Sequence, residues 1–201
     1  MGEIWVKVCG LTNRADVDHA VTAGADAVGV VVYEGSPRFV PHQRLAGLVI
    51  DVSAVTVLLS VDAEPVWVVE SAQQAMFTAV QPYGRNAAAT TQLALASGLQ
   101  VLRPVRAVPG FVLPTEDGSI PLLDTPHEAL HGGSGESFDW NLVRNIGRDF
   151  VLAGGLGPHN VATAVTRAAP WGVDASSGLE AHPGKKDPGK VTAFIEEAKR
   201  R

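Results

Sequence analysis

The stretch "DFVLAGGLGPHNVATAVTRAAPWGVDASSGLE" (residues 149–180) holds one pattern twice. A short apolar run, 149–154, enters a glycine-rich turn and then a segment, 158–168, of helical character. A second apolar run, 171–175, enters a second turn of small residues, Ser176-Ser177-Gly178. Strand, turn, helix and strand in that order describe parallel strands joined by a crossover helix.

The rhythm extends over the rest of the chain. Strand-like runs occur at 4–9, 25–33, 54–61, 76–81, 99–107 and 119–124, ahead of those at 149–154 and 171–175. Helical segments lie between them: "RADVDHAVTAG", with Val17, Ala20, Val21 and Gly24 at helical spacing, then "RLAGLVIDV", "PVWVVESAQQ", "NAAATTQLALAS" and "FDWNLVRNIG". A last helix, "DPGKVTAFIEEAKR", begins near a proline. The break is at 107–118, "AVPGFVLPTEDG", where two prolines and two glycines predict a loop in place of the fifth helix. Eight units in 201 residues predict an α/β fold, a small single-domain (βα)8 TIM barrel spanning residues 1–201. An open doubly wound sheet is the alternative, but no G-x-G-x-x-G follows the first strand.

Composition narrows the function. Apolar residues make up 46% and charged residues 18%, and a chain of this length buries roughly 70% of its unfolded surface. The net charge is −5 and no lysine/arginine run forms a stripe, so nucleic acid is not an expected partner. No apolar window is long enough to span a membrane. The start, "MGEIWVKVCG", does not read as a signal peptide, and Cys9 is the sole cysteine, so a cytoplasmic location is expected.

In such a barrel the chemistry sits at the carboxyl ends of the strands. Cys9 ends the first strand, Arg38 follows the second, Asp124 ends the sixth and Asp174 ends the eighth. Side chains alternate along a strand, so Lys7 shares a face with Cys9, and Leu122 with Asp124. If that polar face points inward, Cys9 and Asp124 both look into the barrel mouth. Gly154, Gly155 and Gly157 precede one helix, and Ser176, Ser177 and Gly178 follow the eighth strand. Glycine turns at these two strands let backbone N–H groups approach a phosphate. The residues alone thus describe a barrel that binds a phosphorylated small molecule, with a thiol and a carboxylate for proton transfer. Residues 127–131, "HEALH", match the zinc-hydrolase pattern H-E-x-x-H. Gly132-Gly133 end any helix there and no third ligand is evident, so no metal is expected and His127 and His131 are read as loop residues.

The stretches "KVCGLT" (7–12), "GADAVGVV" with "SPRFV" (24–31 and 36–40), "LLDT" (122–125), "GGSGESFDW" (132–140), "LAGGLGPHNV" (152–161) and "GVDASSGLE" (172–180) resemble the phosphoribosylanthranilate isomerases. The resemblance implies a (βα)8 enzyme of tryptophan biosynthesis that needs no cofactor. It implies an Amadori rearrangement of N-(5-phosphoribosyl)anthranilate to 1-(2-carboxyphenylamino)-1-deoxyribulose 5-phosphate. Cys9 would be the general base and Asp124 the general acid. Arg38 and Asp174 would hold the anthranilate part, and Lys7 would supply positive charge beside Cys9. The glycine and serine turns would hold the phosphate. The same chemistry would serve the related histidine-pathway aminoaldose, and a degenerate barrel that binds a sugar phosphate without turnover is the non-enzymatic alternative. The chain departs from the family after strand four, where a Q-L-H-G-like motif is replaced by Gln81-Pro82-Tyr83-Gly84. Monomer and homodimer are both compatible with the sequence.

Overall fold

The computed structural model describes residues 3–114, 118–124, 140–144 and 146–200. Eight parallel strands close into a barrel in chain order: β1 (Trp5–Val8), β2 (Ala27–Val31), β3 (Val55–Val61), β4 (Ala79–Tyr83), β5 (Gln100–Arg106), β6 (Ile120–Asp124), β7 (Val151–Ala153) and β8 (Gly172–Ala175). The ring closes where β8 pairs with β1, from Trp5 opposite Gly172 to Val8 opposite Ala175. The expected (βα)8 barrel is therefore the fold.

Among the described residues six α-helices wrap it: α1 (Arg14–Thr22), α2 (Leu45–Val49), α3 (Pro65–Gln74), α4 (Ala87–Ala96), α5 (Val161–Ala168) and α6 (Pro188–Lys199). Local chemistry sets their starts. The Asn13 side chain accepts from Asp16 N ahead of α1, and Asp187 accepts from Lys190 N ahead of α6, with Pro188 in the first turn. No helix occurs among the described residues between β5 and β6, as the prolines and glycines of 107–118 predict.

Alternation along the strands sorts the core into layers. Val6 and Val8 of β1 face outward and pack with Val17, Ala20, Phe194 and Ile195 of the helix layer. Val30, Leu58 and Val80 face α2, α3 and α4 in the same way, against Leu48, Val68 and Ala94. The barrel interior is a separate cluster of Ala27, Val57, Ala79, Leu102, Leu122, Val151 and Ala153. Trp5 and Trp171 stack with ring centroids 5.1 Å apart against it. Both precede or begin their strands, so this stack fills the amino-terminal end of the barrel and leaves the carboxyl end for the site.

Three local expectations change, and one element is added. "FDWNLVRNIG" does not yield an α-helix among the described residues; Trp140–Val143 is a 3-10 turn. Trp140 and Val143 are three residues apart and both buried, which 3-10 spacing allows in a single turn. Helix α5 begins at Val161 rather than Pro158. The Asn160 side chain accepts from Gly157 N and donates to Gly155 O, which holds 155–160 as a turn. Strand β4 runs two residues beyond Gln81. Its pairing with β5 involves Ala79 and Val80, whereas its pairing with β3 continues to Tyr83, so Pro82 lies beyond the last β5 partner. Finally, β9 (Glu180–His182) and β10 (Lys185–Lys186) form an antiparallel hairpin between β8 and α6.

Candidate active site

A cavity of about 560 Å³ opens at the carboxyl end of the barrel. Its wall includes Cys9, Arg38, Tyr83, Asp124, Asp174 and Ser176, contributed by strands and loops far apart in sequence. Gly154, Gly155 and Ser177 also line it. Lys7 lies beneath, outside the lining, and Gly157 and Gly178 lie behind it. "HEALH" and the "GGSGESF" that follows fall outside the described residues, as does the loop expected after strand six.

The inward face is indeed the polar one on β1. Lys7 is fully buried, and its Nζ lies 3.0 Å from Asp174 Oδ2. These two are register partners on adjacent parallel strands, which puts their side chains on the same face of the sheet. Gly29 on β2 makes room for them. A Cβ at Gly29 would stand 2.8 Å from Cys9 Sγ and 3.1 Å from Lys7 Nζ. "AVGVV" therefore carries its one glycine where the thiol and ammonium need space, a signal readable only once β1 and β2 are adjacent.

The Lys7 charge does not leave Cys9 acidic. Burial pushes the thiol up, Lys7 pulls it down, and the Asp174 carboxylate beside Lys7 pushes it up again, with a net rise. Lys7 itself suffers desolvation, but the Asp174 and Cys9 charges outweigh that and hold its pKa above the ordinary value. The expected thiolate-favouring effect of Lys7 is thus outweighed by burial of the thiol, with Asp174 adding to the rise. The other Asp174 oxygen, Oδ1, is buried without a hydrogen-bond partner among the described residues. A buried lone pair of this kind is costly unless a donor meets it, and Asp174 lines the cavity.

Arg38 grips a carboxylate bidentately, as its guanidinium geometry favours, but the carboxylate is the protein's own. Its Nε and Nη2 donate to Glu180 Oε1 and Oε2, each at 2.7 Å. Lys186, 2% exposed, donates to Glu180 Oε1 at 3.1 Å and to Ser176 O at 3.0 Å. Burial opposes ionisation of Glu180, yet the Arg38 hydrogen bonds and the Lys186 charge hold its pKa below the ordinary value. The hairpin β9–β10 therefore ties Arg38 to the loop after β8. Glu180 is the last residue of "GVDASSGLE", whereas nothing in "PGKKD" marks Lys186 as more than a surface lysine.

The two glycine turns meet. A Cβ at Gly178 would stand 2.1 Å from Leu156 O and 3.3 Å from Gly157 Cα, so the loops after β7 and β8 press backbone on backbone. Gly154 and Gly155 adopt φ of 89° and 63°, the left-handed region that favours glycine. Gly157 N is already used by Asn160 Oδ1. Of the six residues expected at an anion, Gly154, Gly155, Ser176 and Ser177 line the cavity, and Gly157 and Gly178 shape it from behind.

On the opposite wall, Tyr83 Oη donates to Asp124 Oδ2 at 3.1 Å and accepts from Gln81 Nε2 at 3.1 Å. Gln81 and Tyr83 share a face of β4, two residues apart. The sequence, which predicts the fourth strand to end at Gln81, singles out neither as a site residue; the alternation Gln81-x-Tyr83 at a strand end is the available clue.

Residues 6–197 match the family described as N-(5'phosphoribosyl)anthranilate (PRA) isomerase. The N-(5'-phosphoribosyl)anthranilate isomerase of Geobacter sp. (strain M21) is 40% identical over 97% of this chain and 98% of its own length. TrpF from Jonesia denitrificans superposes with a TM-score of 0.85 at 35% identity, covering 97% of this chain and 96% of that one. A phosphoribosyl anthranilate isomerase solved in complex with reduced 1-(o-carboxyphenylamino)-1-deoxyribulose 5-phosphate gives a TM-score of 0.81 at 32% identity, covering 98% of each chain. With residues 6–197 matching the family and the barrel and length matching those of its members, this chain belongs to the N-(5'-phosphoribosyl)anthranilate isomerase family.

Proposed function

We propose that this phosphoribosylanthranilate isomerase performs its Amadori rearrangement with Asp124 as general acid and Cys9 as general base, in a catalytic domain spanning residues 1–201. The observation that carries the assignment is the common cavity: the Cys9 thiol, just after β1, and the Asp124 carboxyl, at the end of β6, face the same space between the glycine turns and Arg38.

Asp124 begins protonated and gives its proton to the ribose ring oxygen of N-(5-phosphoribosyl)anthranilate. The ring C–O bond breaks, and the anilino nitrogen lone pair forms the Schiff base. Cys9 thiolate then takes the C2′ proton, and the electron pair moves to give the enolamine, which tautomerises to the aminoketose. Burial holds the Cys9 pKa above its ordinary value, and the reaction requires the thiol ionised while the Asp124 carboxyl is protonated. General acid and base terms of this kind are each worth roughly 10²- to 10⁴-fold.

The binding roles follow the cavity walls. The Gly154-Gly155 turn and Ser176-Ser177 would receive the phosphate, with Gly157 and Gly178 allowing the two turns to close on each other. Asp174 Oδ1 would accept a hydrogen bond from the anilino N–H. Arg38, held by Glu180, would offer Nη1 to the anthranilate carboxylate, since among the described residues Nη1 has no partner. Lys7 would act through Asp174, without touching ligand. A cytoplasmic setting fits the lone free thiol, and among the described residues no helix is long and apolar enough to cross a membrane.

The test is direct: supply the aminoaldose and follow loss of its anthranilate-type fluorescence. Wild-type protein turns it over, and Cys9→Ala and Asp124→Asn each lose at least about 100-fold in kcat. Near wild-type turnover in either variant would remove that residue from its role.

A further inference from the structure

The mechanism asks Asp124 to become a carboxylate, and the structure holds a group in place for that moment. Tyr83 Oη lies 3.1 Å from Asp124 Oδ2, forty-one residues away in sequence. Gln81, 1% exposed, places its amide Nε2 3.1 Å from the same Oη. One lone pair of the phenol oxygen is therefore taken by a donor, and its own proton is directed at the carboxyl group. We propose that Tyr83 is a positioning residue for the acid step: its hydroxyl, oriented by Gln81, holds Asp124 and stabilises the carboxylate formed when Asp124 gives up its proton. The proposal rests on Asp124 being the general acid.

Three further observations support it. Burial raises the Tyr83 pKa well above the ordinary phenol value, and the neighbouring charges of Asp124, Asp174 and Cys9 add to the rise. The shift favours the protonated phenol, the form that donates to Asp124. Pro82, between the two polar side chains, fixes its own φ and has no N–H to give, so it stiffens the strand end that aims them. Tyr83 also lines the cavity, so a substrate seated there packs beside the ring as well as beside Asp124.

The other groups around Asp124 define what the test must separate. Arg106 on β5 is its register partner on one side, and Ala153 on β7 is its partner on the other. Cys9, Asp174 and Arg38 face the same cavity from β1, β8 and the loop after β2. Tyr83→Phe leaves all of these in place and removes only one oxygen. A donor to a carboxylate favours the ionised form, so its loss raises the carboxyl pKa. Hydrogen bonds to charged groups are strong enough to move it by about one unit.

The deciding measurement is the titration of Asp124 itself, read from the infrared band of its protonated carboxyl as the difference between each protein and its Asp124→Asn counterpart. In Tyr83→Phe the midpoint moves up by about one pH unit. At a pH below both midpoints kcat falls to about one tenth, because a weaker acid protonates the ring oxygen more slowly, while KM changes by less than about threefold. Gln81→Met keeps the phenol but removes the donor behind it, and moves the midpoint the same way by less. A Tyr83→Phe midpoint equal to wild type overturns the proposal whatever Gln81→Met does, and reduces Tyr83 to wall packing. Failure of the acid assignment looks different: Asp124→Asn would then keep wild-type kcat, while the effect of Tyr83→Phe on the Asp124 band would remain measurable.

Discussion

The two sides of the cavity are built in different ways. On the β7–β8 side the wall is backbone: glycines at positive φ, and a Gly178 that abuts Leu156 O with no room for a methyl group. On the β4–β6 side it is side chain: Gln81, Tyr83 and Asp124 linked end to end. A backbone wall suits a phosphate, whose oxygens accept from N–H groups and demand close approach. A side-chain wall suits acid–base work, where neighbours must set the proton affinity of one atom. Between the two runs a pair of buried charge clusters, Lys7 with Asp174 below and Arg38, Glu180 and Lys186 at the rim.

That division can be attacked at its joints. The largest effect is expected from Asp174→Ala, which leaves Lys7 fully buried without its counter-charge. Breaking a buried pair from one side costs about 3–5 kcal/mol, to be read from denaturant unfolding. The same variant removes a charge that raises the Cys9 pKa, so alkylation of Cys9 at neutral pH should become faster. A stability loss with no change in thiol reactivity would mean that the Asp174 charge does not act on Cys9.

Glu180→Gln comes next and acts on the rim. It leaves Arg38 and Lys186 facing a neutral amide and should cost about 1.5–3 kcal/mol near neutrality. The sign with pH follows from the lowered Glu180 pKa. The stabilisation is fully present above the unfolded carboxyl value and is lost as pH falls through the folded one. The stability gap between wild type and Glu180→Gln should therefore narrow below about pH 4.5. A gap that stays constant through acid would mean that the Glu180 charge does not hold the hairpin.

The smallest change is Gly178→Ala, a single methyl group against Leu156 O. Overpacking of this kind costs about 1–3 kcal/mol. If the backbone wall serves the phosphate, KM for the phosphorylated substrate should rise more than kcat falls. A fall in kcat at constant KM would instead tie this loop to the acid–base side.

How much of this was legible beforehand differs between the same two sides. Gly154, Gly155 and Ser176-Ser177 were readable because a glycine or serine turn after a strand announces itself locally. Cys9, Asp124 and Asp174 were readable because strand alternation places them. Arg38 was legible as a carboxylate grip, but its partner Glu180 is 142 residues away and its fork is shared through a hairpin with no strong sequence signal. Tyr83 was hidden by Pro82, whose presence reads as the end of a strand. It stays in the strand because β4 is paired only with β3 at that point.

What the chain determines by itself is periodic and local: eight strands in rhythm with helical segments, the broken fifth crossover, the turns that need glycine, and the strand end on which each polar residue stands. Closure of the barrel decides the rest. It sets Lys7 on Asp174 across 167 residues, clears space for Cys9 with Gly29, and brings Tyr83 to Asp124. Those pairings depend on strand register, and register is a property of two strands at once. The electrostatics follow from it, because the proton affinity of a buried thiol or carboxyl is set by which charges the neighbouring strands place beside it.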